Sequence, residues 1–237
     1  IEGRLPQFGD NDGGVFFKFG VRSLSDFSYL PLIGTVNPSD KVDCSNSNCL
    51  EEILFNISST KFELPEFFTH YYKDSGLVLI KNKSSQFYFY NGSNGQKGNG
   101  GHCHNDRLSF TFTHNAQQLF VDPGTGVYTP DPKTRNLYRS TSVHNTVMVN
   151  EEEQNRFYKN GYLFACHRDI QNRTVKLNVD EDNVIILGTH DGYNRKGLEV
   201  IHQRKILCDK KLSQITIVDS LNNNLPAIAT FMLKKHK

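Results

Sequence analysis

From residue 76 onward the chain is a succession of short apolar or alternating runs, each cut off by a polar turn, and few folds accommodate that rhythm. Leu77-Val78-Leu79-Ile80 is followed by a polar tip and then by Gln86-Phe87-Tyr88-Phe89-Tyr90. Leu108-Ser109-Phe110-Thr111-Phe112-Thr113 alternates in strict period two, His114-Asn115-Ala116 turns it, and Gln118-Leu119-Phe120-Val121 returns. Further strand candidates cover 143–149, 161–167, 173–178, 183–189, 197–207, 212–219 and 227–233. No long helical pattern intervenes. The expected fold is therefore all-β, a large two-sheet antiparallel β-sandwich (a supersandwich) over 61–237. Residues 1–60 read as an irregular entry segment of the same domain, with short helices expected at 24–34 and 49–56.

Composition narrows the function. A length of 237 residues is enough for one well-buried core. The 17 Phe and 10 Tyr favour strands over helices. With 27 Lys and Arg against 25 Asp and Glu, the net charge of +2 gives no basis for nucleic-acid binding. A local basic cleft for an anionic substrate needs no such excess. No run approaches the roughly 18 apolar residues of a membrane span. Five scattered cysteines, an odd number, argue against a disulfide framework.

The chemistry concentrates between residues 98 and 146. A Gly- and Asn-rich run ends in Gly100-Gly101-His102-Cys103-His104-Asn105-Asp106. On an extended chain alternate residues face one way, so His102 and His104 share a side. Cys103 is expected to face the core and to be inert. Asp122 closes the next apolar strand before Pro123-Gly124, and His144 opens another after Tyr138-Arg139-Ser140-Thr141. Two histidines and one carboxylate on neighbouring strands fit a zinc site with an open or water-filled fourth position. The plainer reading has each histidine bonding the backbone and Asp122 capping its turn.

These segments also resemble a family. The run Gly101-His102-Cys103-His104-Asn105-Asp106 with Leu108-Ser109-Phe110, Val121-Asp122-Pro123-Gly124-Thr125, Tyr138-Arg139-Ser140-Thr141 and His144-Asn145-Thr146-Val147 is similar, in order, to the C-terminal domain of heparinase II/III-like proteins. Gly9-Asp10-Asn11-Asp12-Gly13-Gly14 resembles the entry into that domain, and Thr189-His190-Asp191-Gly192-Tyr193 with His202 and Arg204 a later segment. The resemblance implies a polysaccharide lyase acting by β-elimination on a uronate-containing acidic polysaccharide. It implies zinc on His104, Asp122 and His144, and His102 facing the substrate. Tyr138 and Arg139 fall near cleft-facing positions. It also implies an N-terminal α/α toroid, absent from this chain, as the domain that completes the cleft, and a periplasmic or secreted setting. Asn105-Asp106-Arg107 stands where the family usually has a small residue. The competing reading is a non-catalytic, zinc-stabilised carbohydrate-binding or structural module.

Overall fold

Period-two burial is what the strands deliver. In the computed structural model, residues 6–11, 65–159 and 161–235 are described. Apart from Pro65 and Glu66 they belong to one unit made of Pro6–Asn11 and Phe67–Lys237. The helices expected at 24–34 and 49–56, and most of the 1–60 entry segment, lie outside the described residues.

Five strands form an antiparallel meander: β1 (Phe67–Tyr72), β2 (Leu77–Asn82), β3 (Ser85–Tyr90), β4 (Ser109–His114) and β5 (Gln117–Phe120), paired in that order. The β2–β3 turn is set by Asn82, whose side-chain oxygen accepts from the Ser84 and Ser85 amides at 3.0 and 2.7 Å. The β4–β5 turn takes Asn115 and Ala116 through positive φ, the handedness a tight hairpin requires. β6 (Val147–Val149) pairs with β11 (Ala227–Ala229). A second sheet has the order β10-β9-β8-β7, from β7 (Arg173–Val179), β8 (Asn183–Tyr193), β9 (Val200–Asp209) and β10 (Ile215–Leu221).

The core lies between the two larger sheets. Val78, Ile80, Phe87, Phe89 and Phe110 of the first pack in one cluster with Val184, Ile186 and Ile206 of the second. Gly188 lets them close: a Cβ there would stand 2.5 Å from a Leu108 methyl and 2.6 Å from the Phe89 ring. The all-β antiparallel expectation therefore holds. Four local expectations do not, one being the strand at 227–233, which covers only Ala227–Ala229. Residues 161–167 form an irregular strap, because backbone carbonyls of Leu163, Phe164 and Ala165 accept from side chains instead of a strand ladder. Of 143–149 only the last three residues are strand. A short helix, α1 (Pro132–Tyr138), appears where none was expected; Asp131 caps it by accepting from Lys133 N and Thr134 N, and proline starts it. Among the described residues no helix is long and apolar enough to cross a membrane.

A buried polar chain joins the second sheet to the segments that carry the candidate site. The Gly192 amide donates to His190 Nδ1 at 3.2 Å. His190 Nε2 then donates to His202 Nδ1 at 3.3 Å, and His202 Nε2 donates to Asp219 at 2.8 Å. Each ring carries one proton in this arrangement. Arg204, fully buried, grips Asp219 at 2.7 and 2.8 Å and donates to the carbonyls of Leu108 and Asn145. Burial holds both histidines below their ordinary pKa of 6.5, His190 furthest; neighbouring cations add to it, while at His202 the Asp219 carboxylate opposes it. A depressed folded-state pKa means stability is full above 6.5 and falls as the unfolded chain takes up protons the folded one refuses. We expect this pair to make urea midpoints fall as the pH drops below about 6.5. Replacing His190 with leucine should flatten that slope, whatever it does to the absolute stability.

Candidate functional site

The motif run is irregular backbone held by buried side chains, rather than a strand. Arg107, fully buried, ion-pairs with Asp106 and donates to His104 O at 3.0 Å, Ser93 O at 3.1 Å and Asn94 Oδ1 at 3.1 Å. Asp106 also accepts from the Gly9 amide at 3.1 Å. Asn105 donates to Glu153 at 2.8 Å and to Asn155 O at 3.0 Å. This explains the departure at Asn105-Asp106-Arg107: these residues are the frame that fixes the two histidines.

His102 and His104 do face one side, as alternation predicts. Both point at the same carboxylate. His104 Nε2 lies 2.7 Å from Asp10 Oδ1, and His102 Nδ1 lies 3.1 Å from Asp10 Oδ2. Arg135, from α1, donates to both Asp10 oxygens at 2.6 and 2.5 Å. Asp10 is thus the hub of the site. Burial pushes its pKa up, but the bonds from His104 and His102 and the charges beside it outweigh this, so it is held below the usual carboxylate value.

His104, Asp122 and His144 offer ligand atoms that all lie within 4.8 Å of one another. His144 Nδ1 bonds Asp122 Oδ2 at 2.8 Å, and the Asp122 Oδ1 accepts from the Gly124 amide at 2.9 Å. Burial alone would lower the His144 pKa, but the Asp122 charge and hydrogen bond raise it. With His104 Nε2 turned to Asp10 and His144 Nδ1 to Asp122, the opposite ring nitrogens carry the lone pairs. Those two atoms, His104 Nδ1 and His144 Nε2, are buried with no hydrogen-bond partner. Buried orphan acceptors are costly, and the two rings stand only 5.3 Å apart. The donor set of the cluster, two imidazoles and one carboxylate, fits a bound cation, and at His104 the Asp10 carboxylate orients the ring from the opposite nitrogen.

His102 is the open member, its side chain 41% exposed. Phe164 and Tyr128 pack edge-on to its ring at 6.0 and 6.5 Å, and the Arg135 guanidinium lies over both aromatic rings. Tyr138 is half-buried and its ring lies against Gly126. Arg139 stands apart from the other site residues: it is 1% exposed. Its guanidinium donates to Leu163 O and Ala165 O at 2.8 and 3.1 Å and lies 4.1 Å over Phe157. The arginine beside the histidines is Arg135. Sequence reading marked the segment around Asp10 but gave Asp10 itself no role, and passed over Arg135.

The heparinase II/III-like C-terminal family model matches residues 69–233. Among solved structures, a heparinase III gene product matches with a TM-score of 0.59 and 18% identity over 81% of this chain. The heparan sulfate lyase HepC from Pedobacter heparinus matches with 0.58 and 16% over 92%. Another heparinase III matches with 0.58 and 14% over 91%. The chain spans 28–30% of the length of these three structures. No curated protein sequence matches.

Proposed function

Because the chain belongs to the heparinase II/III-like C-terminal family, we propose that it is the β-sandwich module of a lyase that cleaves uronate-containing acidic polysaccharide. The observation that carries the reading is the pairing of a half-exposed His102 with a buried His104–Asp122–His144 cluster behind it. In this reading His104, Asp122 and His144 hold zinc. Zinc held there would supply mainly a structural clamp across the segments that bear the site, the role that the family resemblance implies.

His102 is the working group. Its Nδ1–H directed at Asp10 leaves the lone pair on Nε2, the tautomer of a general base. The proton α to the uronate carboxylate passes to that nitrogen. The electron pair left behind forms the double bond as the bond to the 4-linked oxygen breaks. That oxygen takes a proton from an acid on the partner domain, an N-terminal α/α toroid. Neutralising the uronate carboxylate is a task for positive charge at the rim. Tyr138 is placed in the cleft in this reading, whereas Arg139 acts from behind by holding the strap.

The test is a comparison of the wild-type protein with His102→Ala, expressed with the N-terminal region its gene encodes. The readouts are unsaturated uronate from heparan sulfate and thermal melting. Turnover should fall by at least 100-fold, within the usual range for losing a general base. The melting curve should be unchanged. Unchanged turnover would remove His102 from the chemistry. Glycan binding without any turnover in the wild type would favour the non-catalytic module, a reading supported by the 28–30% coverage of the lyases.

A further inference from the structure

Cys103 and Cys166 lie 63 residues apart in sequence and their sulfurs stand 3.3 Å apart. Cys166 is buried and Cys103 half-buried. The space between them is kept clear by Gly100, at φ +68: a Cβ there would lie 2.5 Å from Cys166 Sγ and 2.8 Å from Cys103 Sγ. The two backbones are already docked, with Cys166 N donating to Asn99 O at 3.2 Å and Asn99 Nδ2 to Phe164 O at 3.2 Å. No strand register has to change to bring the sulfurs together. A disulfide needs an S–S distance of about 2.05 Å, so side-chain rotation closing about 1.2 Å suffices. The Cys103 thiol turns toward the strap rather than following the strand alternation expected of it, because the motif run is not a strand.

We propose that Cys103 and Cys166 form a native disulfide by exchange with a small-molecule disulfide such as oxidised glutathione, covalently fixing the strap beside His102. One cysteine sulfur attacks the small disulfide, forming a mixed disulfide and releasing one small thiol. The second displaces the remaining small thiol. One small-molecule S–S bond and two protein S–H bonds are exchanged for one protein S–S bond and two small-molecule S–H bonds. The consequence is local: the strap carries Phe164, which packs on the His102 ring, and Arg139 donates to the strap carbonyls on either side of Phe164. The cross-link therefore sets one wall of the site.

The sequence makes the test clean. Trypsin places Cys103 in 98–107, Cys166 in 160–168, Cys208 in 206–210, and both Cys44 and Cys49 in 42–61. The folded chain is equilibrated with oxidised and reduced glutathione, alkylated, digested without reduction and analysed by mass spectrometry. The expected result is a linked pair of 98–107 with 160–168, lighter than the sum of the two thiol peptides by two hydrogens, with Cys208 resistant to oxidation in its buried position. The oxidised chain should melt higher by several degrees, and Cys103→Ser should abolish both the link and the shift. Because that serine variant tests the link from one side, Cys44→Ser/Cys49→Ser is run in parallel and should leave the link intact. Free thiols or separate glutathione adducts at Cys103 and Cys166 would overturn the proposal. So would linkage of either to 42–61, or linkage only after unfolding in denaturant.

Discussion

His144→Ala removes about 4 kcal/mol from the stability of the metal-loaded chain, and a chelator takes the wild-type chain down by a similar amount. The magnitude follows from linkage: a ligand present at about a thousand times its dissociation constant stabilises by about 4 kcal/mol. At this size such a loss moves the melting midpoint by roughly 10 °C. The discriminating observation is the combination. His144 Nε2 and His104 Nδ1 are buried without partners. If a cation binds His104, Asp122 and His144, chelator and mutation act on the same term, and chelator leaves the variant unmoved. If no cation binds, chelator does nothing to the wild type. His144→Ala then still strands the buried Asp122 carboxylate, about 3–5 kcal/mol, so the response to chelator, not the size of the loss, carries the distinction. Melting wild type and variant with and without chelator separates the two cases.

Asp10→Ala is the second large loss, about 3–5 kcal/mol. The Asp10 side chain is fully buried and receives Arg135 twice, His104 once and His102 once. Removing it leaves the Arg135 charge buried without its counter-ion, and that desolvation cost exceeds the loss of any one hydrogen bond. Two further results follow from the geometry. Asp10→Ala/Arg135→Met should recover a large part of the loss, because the orphaned charge is gone. Zinc affinity of Asp10→Ala should fall about 10–100-fold, since His104 loses the carboxylate that orients it. Urea unfolding of the single and double variants reads the first, and competition with a metal indicator the second. A loss below about 1 kcal/mol, the level of an exposed ion pair, would show that Asp10 is not the hub.

The strands were legible because residue types and turn punctuation mark them directly: β4 alternates apolar and polar residues in sequence, and β9 alternates in burial along its length. The histidines and Asp122 were legible because their residue types are few and their spacing is local to strand ends. What escaped is what depends on distant pairing. Asp10 meets its partners 92 to 125 residues away, and no local pattern announces that. Residues 161–167 look like a strand, yet their carbonyls are claimed by Arg139 and Asn99. The Asp131-Pro132 start of α1 was in plain view, but seven residues are too few to show a helical period. Arg139 read as a cleft residue because the family resemblance sets Tyr138-Arg139 near cleft-facing positions. Only its position behind the strap reveals what it holds.

The most direct test of the zinc-clamped module is the metal content of the chain, purified without added metal and measured by elemental analysis beside His144→Ala. About one zinc per wild-type chain and close to none in the variant is the predicted result for a single site of this ligand type. No zinc in the wild type, or equal amounts in both proteins, would contradict the assignment of His104, Asp122 and His144.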